Sequence, residues 1–340
     1  DSIVRLALIR PMLPNLHVEL NAKKDNPIYA FAQMYNIDFQ RLDLNAYTSP
    51  VTGIRMDARA YKLLRDTFLL DTIQMRVWQD TVGIFYQAEV IKNKFKQQTP
   101  FSMDLSGQLQ TGFMDALLQY KNEKGDTGIL FGLKVGKEEG GGMNINFFPE
   151  NPIFAFNRFT LNPDNYIIIK DEKNIRADVS LQGGDGAFLD IQSKETPEGW
   201  NEIDMALGQV SLDEISKGFS AYLPDISGMF NADIQYMPSD SSYTMTAGFN
   251  IDSLHYEGGR VGDLLFSAVY LPLADNEHQV DMHLFHDTRE ILTSSVYYQS
   301  GKQENIDGTC TVSSLPLSML NPFIPEGMAQ LKGNLQGEMT

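Results

Sequence analysis

The sequence predicts a mainly β protein, built of repeated antiparallel strands with a few short helices. Three observations predict it. Apolar and polar residues alternate with period two through most of the chain, as side chains do on the two faces of a strand. Breaks rich in Gly, Asp and Asn punctuate the runs at 124–126, 139–142, 183–186, 239–242 and 257–259. Such residues supply the positive φ angles and local side-chain bonds of tight turns. No strand–helix–strand rhythm occurs, so a doubly wound sheet is not expected. Many strands joined by short turns give an antiparallel sheet with one apolar and one polar face.

The elements follow in order. Leu16, Val18, Leu20 and Ala22 alternate with His17, Glu19 and Asn21. Asn26 and Pro27 then open a helical segment, with Pro27 at a tolerated first position and Ile28, Phe31, Ala32 and Tyr35 on one face. Strand faces come next at Ile54, Met56, Ala58 and Ala60, and at Val82, Ile84, Tyr86, Ala88 and Val90. Phe101, Met103 and Leu105 form another, then Ile129, Phe131, Leu133 and Val135, then Met143, Ile145 and Phe147. Val179 and Leu181, Leu189 and Ile191, and Ile203, Met205 and Leu207 continue the series. Ser211 opens a second helical segment, with Glu214 three residues on as in a capping box. Leu212, Ile215, Phe219 and Tyr222 share its face until Leu223 and Pro224 stop it. Phe230, Ala232, Ile234 and Tyr236 resume the alternation, followed by Met245, Ala247, Phe249 and Ile251, and by Val280, Met282 and Leu284. Ser314 to Phe323 reads as a third helical segment, interrupted by Pro316 and Pro322.

Composition bounds the function. With 340 residues, 42% of them hydrophobic, the chain can bury a core in one large or two to three ordinary domains. A formal net charge of -17 argues against nucleic acid and against docking on an anionic membrane, both of which need a basic face. The lone Cys310 permits no internal disulfide and reads as a small hydrophobe. No apolar run approaches the roughly 18 residues of a membrane-spanning helix. The chain starts at Asp1 without a signal peptide and ends at Thr340 within an alternating pattern, so a piece of a longer protein is expected.

A plan recurs. The segments 210–234 and 312–335 share a serine, a short apolar helical turn, an aliphatic-Pro-acid stop and an alternating strand, and the N-terminal 22 residues fit the same plan. Pro224 and Pro325 stand 101 positions apart, and Pro14 and Pro224 stand 210 apart, about twice that. A middle copy is therefore expected near Phe113 to Gln119, where no proline occurs. The expected units are 1–110, 111–210 and 211–340, the last including the start of a further one.

No motif points to chemistry. His278, His283 and His286 lie close in sequence, but His283 faces away from His286 on a strand, so no metal site is expected. Glu195, Glu198 and Glu202 flank Trp200 in a turn, without a second carboxylate cluster or an aromatic platform to support glycoside chemistry. Gly183 to Gly186 sits between strands rather than before a helix and reads as a hairpin turn. No nucleophile elbow, Walker loop or HExxH occurs. No catalytic residue, metal or cofactor is assigned.

The C-terminal stretch LPLSMLNPFIPEGMAQLKGNLQGEMT joins a short apolar turn ending in proline to strands patterned as Leu-x-Gly, with Leu331, Gly333, Leu335 and Gly337 in phase. It resembles the TamB (translocation and assembly module) family of the AsmA-like group, in a Bacteroidetes-type style. The segments 252–270 and 158–181 resemble that family's recurrent pairs of strands around a turn. The resemblance covers much of the chain from about Phe154 onward, and the first 150 residues match less clearly. It implies a β-taco, an elongated curved sheet or groove with an apolar interior. It further implies a non-enzymatic periplasmic protein, anchored in the inner membrane by a segment outside this chain. An outer-membrane β-barrel would be its partner and phospholipid its cargo. The residues expected to line the groove are Met205, Leu207, Phe230, Ile234, Tyr236, Phe249, Ile251, Met282 and Leu284. Two other readings compete with this one. One is a structural or adhesive array of β-sandwiches whose apolar faces are closed cores. The other is a β-rich carbohydrate-active enzyme, which would need a working carboxylate pair.

Overall fold

Where apolar residues alternate, the backbone extends. A computed structural model describes residues 10–66, 68–92, 99–240, 242–273, 276–299, 305–325 and 327–340. Its 22 strands belong to one antiparallel sheet. The chain divides into two units, Asp1–Arg158 and Phe159–Thr340. The boundaries expected at 110/111 and 210/211 fall at the turn after Gln110 and at the end of the strand Asn201–Ser211.

In unit 1 a 3₁₀ turn, Arg10–Met12, leads into β1 (Leu16–Ala22), and α1 (Pro27–Gln33) follows. Then come β2 (Ile37–Asp38), β3 (Arg41–Ser49), β4 (Gly53–Arg65), β5 (Phe68–Gln79) and β6 (Gly83–Lys92). The unit continues with β7 (Phe101–Gln110), β8 (Phe113–Lys121), β9 (Thr127–Lys137) and β10 (Met143–Phe154). β1 pairs with β3, and from β3 to β10 each strand pairs with the next. α1 starts because the Asn26 side chain accepts the Ile28 N–H at 2.9 Å and Pro27 needs no partner there. It ends at Gln33, so Tyr35 lies beyond it.

β11 (Asn157–Leu161) straddles the division. Unit 2 continues with β12 (Tyr166–Ile169), β13 (Ile175–Gly183), β14 (Phe188–Glu195) and β15 (Asn201–Ser211). α2 (Leu212–Gly218) precedes β16 (Ile226–Pro238), β17 (Tyr243–Tyr256), β18 (Gly259–Pro272), β19 (Glu277–His286), β20 (Arg289–Gln299) and β21 (Asn305–Pro316). A 3₁₀ turn, Leu317–Phe323, and β22 (Asn334–Met339) close the order. β13 pairs with both β11 and β12, and from β13 to β22 each strand pairs with the next.

Several expectations need correction. Val82 is not in a strand: the Asp80 carboxylate accepts the N–H groups of Val82 (2.6 Å) and Gly83 (3.0 Å), so a turn holds Val82 and β6 starts at Gly83. Those bonds to the charged form keep the Asp80 carboxyl below its ordinary range. The second helix ends at Gly218, before Phe219 and Tyr222. Ser314 to Pro316 complete β21, with Leu315 opposite Leu335, so the third helical segment begins only at Leu317. The segment 158–181 contributes three strands rather than two. Phe113 to Gln119 is strand, with no helical turn, so the middle copy of the repeat is absent from that place. Around Pro14, Pro224 and Pro325 a short helical turn, the proline and then a strand follow in order, while residues 1–9 of the N-terminal copy lie outside the described residues.

Candidate functional site

Residues directly opposite in an antiparallel pair share a face, so the registers assemble rows across the strands. One row runs Ile191, Met205, Ile234, Ala247, Ala268, Met282. A second runs Leu207, Ala232, Phe249, Phe266, Leu284, Leu292. A third runs Ile203, Tyr236, Met245, Tyr270, Val280, Val296. The fourth holds Phe230, Ile251, Leu264 and His286. All the residues expected from sequence to line a groove therefore lie on one face of β15–β19. Ala247 and Ala268 are short, so the middle of the first row is a dip between Ile234 and Met282. Phe249 stacks on Phe266 with centroids 4.7 Å apart.

This face is apolar without being closed. None of the groove residues is buried, and Phe249 is 37% exposed. The opposite face carries the row Asp204, Gln235, Thr246, Val269, Asp281 and Ser295, polar but for Val269. There the Asp281 carboxylate accepts from Ser295 Oγ at 2.6 Å and from Gln279 Nε2 at 2.9 Å, which holds its carboxyl below the ordinary range.

The two ends of the face differ. At one end Leu254, Val261, Ile291 and Met319 form a buried cluster, with Leu212 of α2 and Leu320 of the 3₁₀ turn packed against it. Ile251 and Leu284 also touch that cluster, so these two groove residues belong partly to a closed core. His286 is buried there, its Nε2 2.7 Å from the Val261 carbonyl. At the other end stand Tyr236, Tyr243, Tyr270, His278 and Tyr298, with successive centroids 5.1, 4.9, 5.8 and 6.0 Å apart. Tyr236 Oη donates to the Glu172 carbonyl at 2.6 Å, and Tyr270 Oη lies 2.7 Å from His278 Nδ1. Burial raises the pKa of both phenols.

Sequence reasoning misses this aromatic rim, because Tyr243, Tyr270 and Tyr298 meet only through register. It also assigns no groove residues in unit 1. There the same construction recurs, in the row Leu44, Ala58, Met75, Ala88, Leu105, Leu118, Phe131. Met75 is 42% exposed and Leu105 38%. The alternation at Ile54 to Ala60 and at Ile84 to Val90 is the signal for it. Two charges interrupt that face toward the start of β5 and the end of β6. Asp71 is buried and bonded to Lys62, and Lys92 is buried with Nζ 4.0 Å from the Phe68 ring centroid. Burial lowers the pKa of Lys92.

The other constellations stay apart. His283 meets Glu290 at 2.7 Å on the polar face, while His278 and His286 sit at opposite ends of β19 on the apolar one. Glu195, Glu198 and Glu202 border the β14–β15 turn. Gly183 to Gly186 turn β13 into β14, with the Gly183 N–H 2.7 Å from the Ala187 carbonyl. Cys310 stands opposite Ser294 on the apolar face. No family model matches the chain, and no curated protein or solved structure matches it.

Proposed function

We propose that the apolar faces of this chain shelter the acyl chains of lipids, and that the protein is a non-enzymatic component of the cell envelope. The observation that carries this reading is the set of rows across β15–β19, apolar except for the tyrosine rim and the buried His286, and otherwise half-exposed. A lipid with two long chains holds about 30 methylenes, and at about 0.8 kcal/mol each it needs roughly 25 kcal/mol of shelter from water. A sheet face supplies that shelter by uniform, non-directional contact, and Met205 and Met282 adapt to irregular chains. The aromatic rim suits the headgroup level, where rings with polar tips sit between apolar and wet surroundings.

The resemblance to the TamB and AsmA-like group extends the reading to the periplasm, to phospholipid moving between the two membranes and to an outer-membrane barrel as partner. The competing sandwich would bury these rows under a second layer, whereas Phe249 is 37% exposed and none of the groove residues is buried.

The test is photo-crosslinking in a lipid-containing extract. A crosslinker at Ala247 should capture phospholipid, one at Asp233 on the opposite face should not, and Met282→Glu should abolish capture at Ala247 while the far-ultraviolet spectrum stays unchanged. Equal capture from both faces, or none from Ala247, sinks the proposal.

A further inference from the structure

The polar face of unit 1 carries a row of planar side chains. Through the registers of β1, β3, β4, β5 and β6 it reads His17, Tyr47, Arg55, Trp78, Phe85. His17 stacks on Tyr47 with centroids 4.2 Å apart and planes 12° apart. Trp78 stacks on Phe85 at 5.6 Å and 13°. Tyr47 and Trp78 remain 43% and 37% exposed. Cross-strand stacking accounts for one side of these rings, and Tyr47 and Trp78 still leave ring surface open to solvent on a polar face. Between and beside them lie Arg55 and Arg76, which line a shallow hollow of about 340 Å³ together with Tyr47, Asp57 and Trp78.

The charges select the ligand. The chain carries a net charge of -17, so most cations should find carboxylates. Among the described residues neither arginine has one within 4.0 Å: Arg76 Nη2 donates to the neutral Gln87 at 2.7 Å, and Asp57 pairs with Arg59 instead. Two guanidinium groups without ion pairs beside exposed rings make a local anion site in an acidic molecule. A polynucleotide fits poorly, because its unbroken phosphates would run past Glu19 and Asp57, which share the adjacent row with Arg76, whereas a short glycan can set its acid groups at Arg55 and Arg76 alone.

We propose that this face binds an acidic glycan, a linear saccharide bearing carboxylate or sulfate groups. The sugar rings lay their C–H faces against Tyr47 and Trp78. The acid groups take Arg55 and Arg76, each guanidinium able to grip a carboxylate with two parallel hydrogen bonds. Tyr47 on β3 and Trp78 on β5 stand two strand spacings apart, about 9.6 Å, a scale suited to alternate rings of an extended saccharide. The site lies on the face of unit 1 opposite the apolar rows and stands independently of the lipid reading.

Titration calorimetry and tryptophan fluorescence on the whole chain test it, with tetragalacturonate and a chondroitin sulfate tetrasaccharide as acidic probes and maltotetraose as the neutral one. The expected result is binding of at least one acidic probe, weakened by salt, and none of maltotetraose. Arg55→Gln with Arg76→Gln should lower that affinity at least tenfold and remove most of the salt dependence. Trp78→Thr should lower it similarly and abolish the fluorescence change. The arginine pair is exposed, so its replacement should leave the thermal midpoint unchanged, and that variant tests the site even where Trp78→Thr lowers the midpoint. Failure of both acidic probes, equal binding of maltotetraose, or full affinity in the double-glutamine variant overturns the proposal.

Discussion

Tyr270 and Tyr236 hold neutral phenols in a half-buried rim, and their ionisation is linked to folding. Burial raises both pKa values above the ordinary tyrosine value near 10. The sign follows: above about pH 10 the unfolded chain loses these protons more readily than the folded one. Their stabilisation is complete below that pH and is lost as pH rises through the folded-state values. Tyr270→Phe removes one such group, so its melting temperature should fall less steeply than wild type between about pH 9.5 and 11. Parallel alkaline limbs would contradict the assignment. A second residue-scale expectation concerns Gly107. A Cβ there would lie 2.1 Å from the Asp115 carbonyl oxygen and 2.6 Å from Tyr86 Oη, which itself donates to that carbonyl at 2.6 Å. Gly107→Ala should cost about 1–3 kcal/mol by overpacking, measured by urea unfolding.

Short helical turns fix how one strand hands over to the next. Ser211 caps α2 by accepting the Glu214 N–H at 3.3 Å. Ser216, buried in that helix, donates to the Pro224 carbonyl at 2.9 Å and accepts the Ile226 N–H at 3.2 Å, tying the helix to the first residue of β16. Ser216→Ala should cost about 1–3 kcal/mol, because it strands both backbone groups. Chemical denaturation reads this directly, and a variant as stable as wild type would show that water replaces the hydroxyl. The cap at Ser211 and the stop at Pro224 are legible in the sequence because both act within a few residues. The role of Ser216 is not, because its partners lie eight and ten positions on. The same contrast separates strand faces from strand partners. Period-two alternation is local, so Met205, Ile234 and Met282 can be placed on faces from sequence alone. Their meeting in one row depends on turn lengths and bulges, such as the register shift between Leu207 and Val210. Strand glycines hide a further rule. Gly208 sits opposite Phe188, whose ring a Cβ would meet at 2.3 Å, so that glycine marks a covering aromatic rather than a turn.

At the scale of the whole molecule the apolar face occurs twice, once in each unit. If each face holds lipid, a charge placed on one should spare the other. Met75→Glu and Met282→Glu should each remove about half of the lipid that co-purifies with the chain, and the double variant nearly all of it, since an unpaired charge on such a face is costly to cover. Native mass spectrometry counts the bound lipid, and complete loss in either single variant would mean that the faces act as one path. The two-unit division is not legible in the sequence, whose proline spacing suggests a shorter period. At Pro224 and at Pro325 the preceding helical turn packs against the same buried cluster, through Leu212 and Leu320. The pairing order carries a consequence of its own. From β13 to β22 every strand bonds to its neighbour in sequence, so a hairpin is a unit of width. Duplicating or deleting one changes the sheet by two strand spacings, about 9.6 Å, and returns the chain on the same side with its inner and outer residues still in phase. Such a protein can be lengthened or shortened by whole-hairpin steps in its gene without redesigning any neighbour.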